Sequence, residues 1–160
     1  MLSPQSQEAH MASETSWIAI TRCDENTTAN WAGAGQAREL SWIVDSGCTR
    51  HMTYAREAFI DYRLLDEPIQ VNIANGACIN AVAEGTVSLR TAVEGRMRSV
   101  QILNVLHVPL LAGSLISVPH LQDRGIMTRT VKSGMMLLEL DGRVIGEAKR
   151  IGRSYVLNGT

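Results

Sequence analysis

The residues best suited to chemistry are Asp45, Ser46 and Gly47, which directly follow the apolar run 42–44. A buried strand that stops in a glycine-permitted turn can hold a carboxylate rigidly at the edge of a cleft. Two such loops meeting across an axis would bring two carboxylates together, where both cannot ionise and they share one proton. One then acts as a base toward water and the other as an acid. As a bare tripeptide, Asp-Ser-Gly is more often only a turn.

Cys48 and His51 follow this turn and allow two other kinds of chemistry. A thiol beside an imidazole could act as a nucleophile, and this alternative stays open from sequence, although a scaffold role for His51 is favoured. A structural metal site is disfavoured because no two Cys or His residues have the usual paired spacing. Three cysteines, an odd number far apart in the chain, indicate free thiols in a reducing, cytoplasmic setting.

The scaffold around these residues is predicted to be mostly β. Apolar residues at even spacing between 71 and 83 surround Ala74-Asn75-Gly76, and Asn-Gly between such runs predicts a hairpin. Apolar runs predict further strands at 40–44, 86–91, 97–108 (two strands around Asn104), 135–140 before Asp141-Gly142, and 155–157.

One short helix is predicted late in the chain. Ser117 can cap its first turn, Pro119 stands where a missing N–H costs nothing, and Gly125 can end it. Residues 55–60 could form one more turn. The pattern as a whole is all-β with a single late helix, and no internal repeat is visible.

Three ordered blocks resemble the protease of copia-type retrotransposons. WIVDSGCTRHM (42–52) is similar to that family's Trp-x-apolar-Asp-Ser-Gly-Ala-x-x-His-Met pattern. VNIANGACINAVAEGTVSL (71–89) resembles its flap region, and LNVLHVPLLAGSLISVPHLQDRG (103–125) its second structural block. The resemblance covers about residues 40–126. It implies a retropepsin-like closed barrel with a flap hairpin and one short C-terminal helix, active as a C2 homodimer.

The resemblance also implies roles for individual residues. Asp45 would be catalytic, Ser46 would brace the loop across to the partner subunit, and Gly47 would let the substrate backbone approach. The remaining implied site residues are Cys48 and Thr49 flanking the cleft, Asn75 and Gly76 at the flap tip, and Leu115, Ile116 and Ser117 beneath the catalytic loop. The chain departs from the family in having Cys48 where Ala is usual and only one Gly in the flap.

A single Asp-Ser-Gly in 160 residues requires a symmetric dimer if the site needs two carboxylates. The implied reaction is peptide-bond hydrolysis, with the element's own Gag-Pol polyprotein as substrate and no metal or organic cofactor. Two alternatives remain: an inactive, domesticated homologue that binds proteins through the dimer fold, and a peptidase that acts on other cellular proteins.

Composition limits the other possibilities. The chain is 45% hydrophobic with a net charge of −1 and no basic run, which argues against nucleic-acid binding by this segment. No apolar stretch approaches the ~20 residues of a membrane span. Residues 1–38 are predicted to be a disordered tail and linker with one possible strand at 17–21, and 39–160 a single protease domain. A cytoplasmic location follows, virus-like particles included.

Overall fold

In the computed structural model, the described part of the chain comprises residues 7–8, 40–73 and 75–159. This part contains eleven strands, a 3₁₀ turn at Arg56–Ala58 and a helix, α1, at Val118–Asp123. The strands are β1 (Gln7–Glu8), β2 (Leu40–Asp45), β3 (Met52–Thr53), β4 (Phe59–Asn72), β5 (Cys78–Val93), β6 (Arg96–His107), β7 (Ser114–Ser117), β8 (Met127–Thr130), β9 (Met135–Leu140), β10 (Arg143–Ile151) and β11 (Ser154–Gly159). The predicted strand at 17–21 lies outside the described residues.

All the described strands belong to one sheet, in the order β1-β4-β5-β6-β3-β7-β2-β11-β10-β9-β8. The predicted all-β class with one short α-helix is therefore confirmed. The sheet is barrel-like but not closed, because among the described residues β1 pairs only with β4 and β8 only with β9. Closure requires matched tilt and stagger across the whole ring, and apolar periodicity along the chain does not encode it. None of the helices in the described ranges is long and apolar enough to cross a membrane.

The centre of the sheet is covered on both faces. β2 pairs in parallel with β7, with Ile43 opposite Leu115 and Val44 opposite Ile116. Val44 and Ile116 belong to one apolar core, whereas Ile43 and Leu115 belong to another on the opposite face. A strand buried on both sides needs apolar residues throughout, which explains the uninterrupted run before Asp45.

The long strands β4, β5 and β6 connect these two cores by bending. Register shifts interrupt the β4–β5 and β5–β6 pairings, and bulges of this kind bend a strand and increase its twist. The part of the β4–β5 pair far from the hairpin turn, with Phe59 and Val87, packs in the first core, which contains Val44. The part near the turn, with Val71 and Ala81, packs in the second core, which contains Leu115. The parts of β4 and β5 next to the hairpin end therefore belong to the second core.

Asn104 corrects one prediction. Residues 96–107 form a single strand rather than two, and Asn104 has a left-handed φ of 56° within it. The pairing shifts between Gly85 opposite Val105 and Val87 opposite Ile102, so the polar residue marks a bulge. Asn is among the few residues that tolerate this conformation, and sequence alone does not distinguish a bulge from a chain break.

The local signals for helix α1 are confirmed. The backbone N–H of His120 donates to Ser117 Oγ at 3.1 Å, as expected for an N-cap. Gly125 follows the helix with φ of 75°. The turn predicted at Asp141-Gly142 joins β9 to β10 with both residues at positive φ, and the turn expected within 55–60 is the 3₁₀ turn.

Candidate active site

Asp45 is the last residue of β2 and lies at the central, doubly covered part of the sheet. It is 6% exposed, and the Gly47 N–H donates to its Oδ1 at 2.7 Å. This bond closes a turn of the kind that Asp side chains form with the backbone two residues on. The carboxylate is thus held by its own loop at a strand end, as the sequence predicts.

Ser117 lies opposite Asp45 in the β2–β7 pairing and connects to the same loop. Its hydroxyl donates to the Cys48 carbonyl oxygen at 2.6 Å, and its N–H donates to His51 Nδ1 at 3.0 Å. Ser117 therefore lies against the segment 45–51, called the Asp45 loop below. The buried Ser117 thus forms hydrogen bonds with both the middle (Cys48) and the end (His51) of the segment 45–51.

The thiol of Cys48 is unsuited to nucleophilic catalysis. Its side chain is fully buried and donates to the Asp45 carbonyl oxygen, with Sγ 3.6 Å away. Burial, followed by the negative charge of Asp45, raises the pKa of Cys48 to about 12. The reactive species is the thiolate, which this site suppresses, and His51 Nδ1 is already occupied by Ser117. The geometry therefore disfavours the Cys48–His51 alternative.

The remaining loop residues differ in exposure. Ser46 and Thr49 are exposed and Gly47 is half-buried. Arg50, further along the loop, pairs with Glu84 on β5 at 3.3 Å, and Glu84 also contacts Arg63. The outer edge of the loop is open to solvent while its inner edge is anchored to β5 and β7.

The predicted flap is the β4–β5 hairpin. Its end is closed by a bond from Gly76 N–H to Ile73 O at 2.9 Å, one from Ile73 N–H to Ala77 O at 2.9 Å, and one from Ala77 N–H to Asn75 Oδ1 at 2.9 Å. Gly76 has φ of 82°, and Asn75 and Gly76 are exposed. The hairpin shape predicted from Asn-Gly is thus present.

The hairpin and the Asp45 loop share one apolar core. Cys48 packs with Val71 of β4 and Ala81 of β5 in the second core, together with Leu115 of β7. The carboxylate loop, the hairpin and β7 are therefore parts of one packed unit.

A family model described as "Pol polyprotein, beta-barrel domain" matches residues 42–126, just over half of the chain. The chain belongs to this family. The β-barrel domain derives from a retroelement Pol polyprotein, and the matched range contains the Asp45 loop, the hairpin, β7 and helix α1. No curated protein and no solved structure matches the chain.

Other features of this Pol domain were not predicted from the sequence. Thr53 Oγ1 and Ser114 Oγ lie 2.7 Å apart in the interior, and Thr53 Oγ1 also accepts from the Ala55 N–H. This buried pair joins β3 to β7 just below the site. Neither residue stands in a recognisable motif, since hydroxyl pairs between distant strands have no sequence signature.

A cavity of about 250 Å³ is lined in part by His51 and by His120 and Leu121 of helix α1. Its walls are mostly aliphatic, and Gln101, His51, His120 and Arg124 contribute the polar side chains. Asp45 does not line it. Across residues 40–73 and 75–159, no group of three or more His, Cys, Asp or Glu side chains is arranged to hold a metal ion.

The hairpin geometry predicts the effect of substituting Gly76. A Cβ there meets no atom within 4 Å, but φ of 82° strains any L-residue, by roughly 1–2 kcal/mol or more for β-branched Val. If the hairpin is a flap, Gly76→Val is expected to lower peptide turnover about tenfold. The same strain should lower the free energy of unfolding by roughly 1–2 kcal/mol, which leaves the protein folded in water and shifts the urea unfolding midpoint only modestly. Gly76→Asn, which tolerates positive φ, is the matched control and should stay near wild type. Equal turnover for both variants would contradict a flap role.

Proposed function

We propose that this domain is one subunit of an aspartic endopeptidase of a copia-type retrotransposon, in which the Asp45 side chains of two protomers form the catalytic pair. The observation that carries the proposal is the geometry of Asp45. Its carboxylate ends a strand covered on both faces, is held by the Gly47 N–H, and stands beside Ser117, which anchors the loop. Such rigid support suits a carboxylate that must keep its position during reaction.

The chemistry follows from two carboxylates that share one proton. The ionised carboxylate takes a proton from water, whose oxygen attacks the peptide carbonyl carbon, while the protonated carboxyl gives its proton to the carbonyl oxygen. The tetrahedral product collapses as the amide nitrogen takes a proton, the C–N bond breaks, and the remaining hydroxyl proton returns to the pair. No group beyond the two Asp45 side chains and water is needed.

The position of the β4–β5 hairpin supports a polypeptide substrate. We infer that an extended peptide would bind between the exposed loop residues Ser46 and Thr49 and the exposed hairpin residues Asn75 and Gly76. The family supports Gag-Pol as the natural substrate, since a Pol-derived protease is encoded within the polyprotein that it would process. Cleavage at the domain borders of a longer precursor that includes this chain is the direct assay.

The dimer predicts a dependence on protein concentration. Because each subunit supplies a single Asp45, only dimers cleave, and below the dissociation constant their fraction falls in proportion to total protein. Tenfold dilution in that range should lower the activity per mole of subunit about tenfold. Sedimentation equilibrium on the same samples should show monomer appearing as activity is lost. A fully active monomer would rule out the shared site.

A further inference from the structure

His51 is a buried polar residue to which the proposed reaction assigns no step. It is 3% exposed, and its ring lies against that of His120 with centroids 4.5 Å apart. Its Nδ1 accepts the Ser117 N–H at 3.0 Å, and its carbonyl oxygen accepts the Leu106 N–H at 2.9 Å. The residue therefore joins the end of the catalytic loop to β7 and to β6.

The hydrogen bond from the Ser117 N–H is the contact of His51 that requires a side-chain acceptor. Ser117 is the N-cap of α1, where backbone N–H groups lack intrahelical partners, and it is fully buried. Without His51 this buried donor would lose its acceptor, which is costly in an interior. Ser117 in turn donates to the Cys48 carbonyl oxygen and pairs with Asp45 across the sheet. Ser117 is thus the single residue between His51 and Asp45, and a change at His51 can alter the position of the Asp45 carboxylate through it.

We propose that His51 is a positioning residue of this protease: its neutral ring, protonated at Nε2, holds the Ser117 N–H and thereby fixes the loop that carries Asp45. This inference rests on the proposed function. His51 is not itself a catalytic residue, because it is buried and its Nδ1 is engaged. Protonation would convert Nδ1 from acceptor to donor and place two donors against each other.

The charges around His51 favour the neutral ring. Burial, followed by His120, Arg50 and Arg124, lowers its pKa to about 3. Three carboxylates in this region have partners of their own: Glu84 pairs with Arg50, the negative charge of Asp123 opposes the lowering of the His120 pKa, and Asp45 accepts from the Gly47 N–H. In the unfolded chain His51 titrates near pH 6.5. Its contribution to stability is therefore complete above about pH 6.5 and is lost as the pH falls toward 3.

Two variants separate positioning from simple packing. His51→Asn keeps a side-chain oxygen near the position of Nδ1 and has no group that titrates, whereas His51→Leu is apolar and lacks the acceptor. His51→Leu is expected to lower kcat at least about tenfold with KM changed less than about threefold. His51→Asn should retain kcat within about threefold. It should also lose less thermal stability than wild type between pH 6 and pH 4, since it carries no depressed pKa.

A second readout does not depend on activity. In ¹⁵N NMR of the wild-type protein, His51 should show a proton on Nε2 alone from pH 7 to pH 4, and the Ser117 amide should exchange slowly. Titration of His51 near pH 6.5, rapid exchange at Ser117, or equal loss of kcat in both variants would overturn the proposal. If the wild-type precursor shows no cleavage, the proposed protease function fails, while the NMR result still decides whether His51 holds Ser117.

Discussion

Asp45→Asn is expected to abolish peptide cleavage, by roughly 10²–10⁴-fold or more, while the protein stays folded and dimeric. The amide cannot take a proton from water, so the base of the pair is lost. It is nearly isosteric, and its side-chain oxygen can still accept the Gly47 N–H that now lies 2.7 Å from Oδ1. The loop should therefore keep its shape. The measurement is cleavage of the precursor at saturating substrate, with sedimentation and circular dichroism on the same samples.

Cys48→Ala is the matched control for this prediction. The thiol is buried with a pKa of about 12 and donates a weak bond to the Asp45 carbonyl oxygen. Its removal from a tight core should cost some stability but leave most of the turnover. Substantial cleavage by purified Asp45→Asn, or loss of turnover in Cys48→Ala with Asp45 intact, would count against a carboxylate mechanism and favour a thiol enzyme.

Gly85→Ala is expected to be strongly destabilising, lowering the free energy of unfolding by about 3 kcal/mol or more. A Cβ at Gly85 would lie 1.9 Å from the Asp61 carbonyl oxygen and 3.1 Å from the Phe59 ring. The clash is with backbone of the neighbouring strand, which cannot move without breaking the β4–β5 pairing. Because this bend connects the two cores, its loss should also displace the hairpin.

Gly146→Ala provides the comparison. Its Cβ would come no closer than 3.4 Å to the Leu138 side chain, which can adjust, and its φ lies outside the left-handed region. The urea unfolding midpoint should fall far more for Gly85→Ala than for Gly146→Ala. Similar midpoints would show that the strands at Gly85 separate more easily than the close approach of Asp61 indicates.

The bent three-stranded segment also has a functional consequence. β4, β5 and β6 contribute to both cores, so the hairpin end and the catalytic loop are packed through Val71, Ala81 and Cys48 rather than through exposed contacts. The exposed hairpin tip can then move while the strand residues next to it stay packed in the core. This arrangement suits a proposed flap that must open for a polypeptide and close over it.

Local features of this protein were readable from the order of its residues. The apolar run before Asp45, the turn at Asn75-Gly76 and the cap at Ser117 each depend on φ, on side-chain period or on a hydrogen bond within a few residues. Because the interacting residues are close in sequence, such features can be predicted from a short stretch of the chain. Most of β4, before its last residues, and all of β10 were not predicted, because their exposed, polar and interrupted sequences lack a clear hydrophobic period.

The pairing of distant segments was decided only in the folded chain. Ser117 reaches Cys48 and His51 across a separation of more than sixty residues, and the sheet remains open although its strands suit a barrel. The bulge at Asn104 and the close approach at Gly85 likewise depend on neighbouring strands. Residue types determine which secondary structure each segment favours. Strand register and sheet closure are set by the simultaneous packing of all strands against two cores.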